Sequence, residues 1–254
     1  MIGRRLILKI GFFVLLVLCW EGIVRLQILP DYLVPGPVQV GHSLWEMLLD
    51  GVLWTAVRKS MARMIIGYTV SVVVGILLGI LLARSTLAKE TLGTLVLSLQ
   101  SLPSICWLPL ALIWVGINEQ AVIAVVILGA VFSIAVATES AIRNIPPIYL
   151  KVGEVLGARR LIFARDILFF AALPELMSGL KLGWSFAWRS LMAAELIRAD
   201  AMGLGRLLET GRSFNDVPMM LAAMIMIICV GLFVDSVIFG NLEKRIRRRY
   251  GLAR

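Results

Sequence analysis

The fold class this sequence predicts is all-α: a polytopic bundle of transmembrane helices. Two observations predict it. The 254 residues are 60% hydrophobic, with a mean hydropathy of +0.93, where a soluble domain is roughly half apolar. Runs such as Met64 to Ala83 and Met219 to Phe239 reach the ~20 apolar residues that a helix needs to cross hydrocarbon, and the alternation of a barrel strand is nowhere sustained. The length suits one membrane domain over 1–254, with an N-terminal anchor span within 1–30, a core bundle over 60–240 and a cytoplasmic loop over 146–174.

About six spans are expected: Leu6 to Leu26, Met64 to Ala83, Leu92 to Val115, Ala121 to Glu139, Leu176 to Ile197 and Val217 to Phe239. The first follows Arg4, Arg5 and Lys9 in the manner of a signal peptide, but no small-residue cleavage site follows, so it reads as a retained anchor. Pro103 and Pro109 interrupt the third, which predicts a kinked or discontinuous helix. Lys and Arg near span ends are retained in the cytoplasm. Placing both termini inside collects Arg84, Lys89, Arg143, Lys151, Arg159, Arg160, Arg165 and the KRIRRR tail from Lys244 on that side. The net charge of +9 thus follows from topology, without nucleic-acid binding.

Spacing within the spans predicts packing. In the second span Gly67, Ser71, Gly75, Gly79 and Ala83 recur every fourth residue, a seam that lets another helix approach closely. The fifth carries a small stripe of Gly183, Ala187, Ser190 and Ala194, with Trp184, Trp188 and Glu195 assigned to a different face. It also holds Lys181, Arg189 and Glu195, and ionisable groups at membrane depth are candidates for function when they face a cavity. Arg189 could meet an anionic solute. The plainer alternatives are that Arg189 and Glu195 neutralise adjacent helices and that Lys181 snorkels to the interface.

Other chemistry is thinly supplied. Cys19, Cys106 and Cys229 lie in apolar segments without metal or disulfide spacing and read as small core residues. His42 is the single histidine and suits a helix start after Pro37. There is no nucleophile–base set and no Walker loop, and the glycines at Gly203 and Gly205 lack the strand and lysine of a phosphate cradle. The segment from Pro146 to Pro174, by contrast, opens on a double proline and reads as helix, Gly157 turn, helix. Glu154, Gly157 and Ala158 would share one face, with Arg159 and Arg160 beside it, a handle for a cytoplasmic partner.

Several collinear segments carry a resemblance: LVPGPVQV (Leu33 to Val40), LPSICWLPLALIWVGINEQA (Leu102 to Ala121), RNIPPIYL (Arg143 to Leu150), EVLGA (Glu154 to Ala158), ALPELMSGLKLGWSFAW (Ala172 to Trp188) and AAELI (Ala193 to Ile197). Together they resemble the permease subunit of nitrate/sulfonate/taurine ABC importers, from about Leu33 to the basic tail. The resemblance implies the MetI-like fold of a type I importer in the inner membrane. The implied assembly pairs two permeases, commonly identical, with two ATPases that bind ATP and Mg, and with an extracytoplasmic binding protein that delivers the solute. No cofactor is expected on this chain, and no enzymatic activity.

The family's coupling helix has an E-A-A-x-x-x-G pattern whose glycine matches Gly157, so Lys151, Glu154, Gly157, Ala158, Arg159 and Arg160 become the ATPase-coupling candidates. Lys151, Val152 and Gly153 stand at the E-A-A positions, and Phe169-Phe170 where the family often has Leu-Pro. Trp184, Trp188, Arg189 and Glu195 are the candidates for the path. Small anions such as aliphatic sulfonates, taurine or nitrate are the expected solutes, with a vitamin precursor as an alternative. A secondary transporter driven by an ion gradient would need midplane carboxylates in repeated halves, and no such repeat is evident.

Overall fold

The computed structural model describes residues 2–26, 30, 33–155, 167–198 and 202–249. Among them every regular element is helical. Helix α1 (Ile2–Arg25) is tied to the next turn by Trp20 Nε1, which donates to Pro35 O at 3.1 Å. Helix α2 (Pro37–Leu49) opens on proline, whose missing N–H costs nothing in a first turn, and the Gln39 side chain accepts from Gly36 N at 3.2 Å. Gly51, at φ +70°, lets the chain reverse into α3 (Val52–Arg84), a left-handed turn that a Cβ would strain.

The proline-interrupted span is broken outright. Helix α4 (Thr86–Gln100) and helix α5 (Ser104–Val115) meet at 96°, because Pro103 cannot donate the backbone bond that would carry one into the other. Helix α6 (Glu119–Arg143) then starts on Asn118, whose Oδ1 accepts from Ala121 N at 3.1 Å, a side-chain cap. Helix α7 (Pro147–Val155) follows, then α8 (Phe169–Ile197) and α9 (Leu204–Ser213). Helix α10 (Val217–Phe233) runs through a π-helical turn, Val234–Phe239, into α11 (Gly240–Arg249).

Helix α6 is the centre of the bundle. Of its apolar window 56% is buried, against 28% for α3 and 17% for the span from Val217. The predicted seam packs on it: Gly67, Ser71, Gly75 and Gly79 are all buried, and a Cβ at Gly67, Gly75 or Gly79 would run into Val126, Ile134 or Thr138 of α6. Ser71 Oγ donates to the carbonyl of Gly67, 2.7 Å away, and also lies 3.3 Å from Ile127 O across the contact. On the other flank Gly183 of α8 meets Ile134 and Ser190 meets Gly129, so the small stripe of α8 also faces α6. Tyr68 crosses from α3 to donate to Leu180 O at 2.7 Å, with its ring edge-on to Trp184 at 5.1 Å. Tyr68→Phe is expected to cost about 1 kcal/mol, read as a lower melting temperature in detergent.

Five expectations need correction. Among the described residues, three helices are long and apolar enough to cross a membrane, four counting the bent pair as one span. Helix α8 is not among them. α8 is 29 residues long but carries Glu175, Lys181, Arg189 and Glu195. The second span begins at Val52, not Met64, because polar Ser60 and Arg63 are buried within the same helix. Pro174 lies inside α8, so the connection between α6 and α8 ends before it. Cys19, Cys106 and Cys229 are exposed on the chain's surface, since hydropathy finds a span without showing which face turns inward. Lys181 does not stand alone either: it pairs with Asp235 in the π-helical turn at 3.1 Å.

Candidate functional site

Two polar constellations stand out within the bundle. The first is a closed knot around Glu195, fully buried. Arg63 Nη1 donates to Glu195 Oε1 at 2.8 Å and is also 2.8 Å from Met202 O, while Arg63 Nη2 donates to Glu119 Oε1 at 2.8 Å. Ser60 Oγ lies 2.7 and 2.9 Å from the two oxygens of Glu195 and accepts from Leu204 N at 2.9 Å. Gly205 N donates to Glu195 Oε2 at 3.1 Å.

The two glycines flanking Leu204 explain how the backbone comes so close. A Cβ at Gly203 would overlap the Glu195 carboxylate, and one at Gly205 would lie 2.8 Å from Glu195 Cβ. The Gly-Leu-Gly turn therefore does cradle an anion, but an internal one: the first amides of α9, without partners inside their own helix, go to Glu195 and Ser60. The knot joins α3, α6, α8 and α9. Of the side chains that form it, only that of Glu119 is open to the surface, 56% exposed.

The second constellation is an open cavity of about 420 Å³ at the break between α4 and α5. Gln100, Ser101, Ser104, Ser133 and Arg189 supply its polar lining, and Phe132 and Phe186 part of its apolar wall. The guanidinium of Arg189 stands over the Phe186 ring, 4.7 Å from its centroid, and its Nε donates to Ser185 O at 3.2 Å. Gln100 Nε2 donates to Ser133 Oγ at 3.4 Å across the cavity wall.

The four path candidates of the sequence are thus separated. Trp184 and Trp188 are buried in the core and Glu195 in the knot, whereas Arg189 is exposed and lines the cavity. Ser60, Arg63, Glu119 and the cavity's serines were not singled out by sequence; Arg63 stood one residue outside the expected second span. Of the coupling candidates, Lys151 is exposed on α7 and Glu154 belongs to the same helix. Gly157, Ala158, Arg159 and Arg160 lie outside the described residues.

A long helical bundle with a broken span and a polar cavity at the break has the form of a membrane permease. A family model described as "Binding-protein-dependent transport system inner membrane component" matches residues 71–248, and the chain belongs to that family. It is 27% identical to the taurine transport system permease protein TauC of Escherichia coli strain K12, over 98% of this chain and 92% of that one. It is 28% identical to the nitrate import permease protein NrtB of Leptolyngbya laminosa, over 96% and 88%. A chain of the MetNI methionine ABC transporter, solved in inward-facing conformations, shares the fold with a TM-score of 0.67 at 21% identity, over 79% of this chain and 98% of that one. The chain is accordingly the translocation subunit of an ABC importer, an inner-membrane component of an assembly that includes an ATPase and a substrate-binding protein.

Proposed function

We propose that this chain forms half of the path by which an importer moves a small anion of the sulfonate, taurine or nitrate kind into the cytoplasm. One observation carries the reading: along α8, Glu175, Ser178 and Arg189 are exposed and Ser185 is half-exposed, at helical spacing on one side of the helix, with Leu182 the apolar residue among them. A polar stripe at membrane depth does not face lipid at low cost. Facing an aqueous path between two copies of the chain, it is solvated.

The remaining roles follow from this reading. Two identical permeases enclose the path, with both termini cytoplasmic as the basic residues favour. The solute arrives on an extracytoplasmic binding protein. ATP and Mg bind to the two ATPase subunits, and this chain binds neither. Lys151, Glu154, Gly157, Ala158, Arg159 and Arg160 engage the ATPase, so that its closure on ATP rocks the bundles between outward-open and inward-open states. ATP can drive that change only through a differential affinity for the two states, and the segment between α6 and α8 is the lever that conveys it.

Co-purification tests the assembly. The wild-type chain should retain its ATPase through affinity and size-exclusion steps, and Gly157→Glu, which adds bulk and charge to the docking face, should lose it while remaining monodisperse. A wild-type chain that retains no ATPase would overturn the reading.

A further inference from the structure

We infer that the cavity at the α4–α5 break is a transient binding site for the transported solute, that Arg189 is its anion contact, and that it takes a small oxyanion with at most a short apolar tail. The inference rests on the importer reading above and deepens it.

Position is the first argument. Ser190, the neighbour of Arg189, packs against Gly129 near the middle of α6, and Ser104 of the break lies against the same glycine. Arg189 and the break thus share one level, close to the bilayer centre. Sites in transporters concentrate at that depth, where discontinuous helices open backbone and side chains to a cavity.

Charge is the second argument. Two other cations of the bundle have carboxylates: Arg63 has Glu195 and Glu119, and Lys181 has Asp235. Arg189 has no carboxylate within ion-pair distance among the described residues, and its two Nη groups have no acceptor there. Its Nε bond to Ser185 O and its seat on Phe186 fix the plane of the fork. A guanidinium held in this way presents parallel donors matched to two oxygens of a sulfonate, nitrate or carboxylate.

The lining narrows the ligand further. Hydroxyls of Ser104 and Ser133 can donate to the remaining oxygens, while Phe132 and Phe186 suit a few methylenes. Among the described residues no carboxylate lines the cavity, which disfavours a cation. A site that releases its solute must also bind it weakly, and a single guanidinium open to water meets that need.

The test uses the assembled transporter with Cys19, Cys106 and Cys229 changed to serine and Ala193→Cys placed in the cavity lining. An anionic methanethiosulfonate reagent should modify this cysteine about tenfold faster than a cationic one, because the field of Arg189 concentrates anions there. Arg189→Gln should abolish that preference and Arg189→Lys should keep it. In parallel, uptake of labelled taurine, methanesulfonate and nitrate should fall about tenfold in Arg189→Gln, with the ATPase still retained on co-purification. Equal labelling by both reagents would overturn the site, as would full uptake by Arg189→Gln, and both leave the importer reading intact. A wild type that carries only uncharged solutes overturns the proposal too. Failure of the wild type to couple ATP hydrolysis to any uptake strikes the importer reading itself.

Discussion

Glu195→Ala is expected to destabilise the chain by about 3–5 kcal/mol, the usual cost of stripping a buried charge of its partner. Arg63, only 3% exposed, would keep Glu119, but on the surface side. On the inner side its Nη1 would face only the Met202 carbonyl, and the amide of Gly205 and the Ser60 hydroxyl would lose their acceptor. Each buried group left unsatisfied adds to the loss. The measurement is the melting temperature and monodisperse yield in detergent. Arg63→Met combined with Glu195→Leu should recover much of it, since an apolar pair of similar volume often replaces a buried ion pair without cost. Equal loss in the single and double variants would show that packing around the knot, not the uncompensated charge, is what matters.

The second large effect is expected at the seam. A Cβ at Gly75 would lie 2.8 Å from Ile134 Cβ and 2.9 Å from Val131 O. Because the second contact is backbone, rotamer changes cannot relieve it, and α3 must move off α6. Gly75→Ala should therefore cost about 1–3 kcal/mol, as overpacking does elsewhere, and Gly75→Leu should prevent a monodisperse product. Gly41→Ala, with nothing within 4 Å of the new Cβ, is the control and should melt like wild type. If Gly75→Ala also melts like wild type, the close approach of the two helices is not holding the bundle together.

How much of this could be read from residues alone depended on the physical signal each feature leaves. The seam was legible because glycine and serine every fourth residue have few other uses in a membrane helix. The broken span was legible because Pro103 has a single mechanical consequence, and the start of α7 because a double proline marks it. The knot was not: its members come from four helices, and Arg63 falls one residue outside the apolar run that starts at Met64. Helix α9 was missed as well, being too polar for a hydropathy signal, although its two glycines had been noticed and set aside for lack of a lysine. Trp184, Trp188 and Glu195 were grouped by spacing, but periodicity does not distinguish a face turned to the core from one turned to a cavity. Arg189 lies on the same helix and differs from Glu195 only in what the neighbouring helices bring to it.

The knot also bears on how the chain is made. Arg63 and Glu195 are 132 residues apart, and at 5–20 residues per second the arginine waits on the order of ten seconds for its counter-charge to be synthesised. During that interval α3 enters the membrane with Arg63 accompanied at most by Glu119. Leu204 and Gly205, which complete the cage, arrive later still. The knot can close only after α8 and the turn into α9 have emerged, so a ribosome stalled before Glu195 holds a bundle whose outer corner is open.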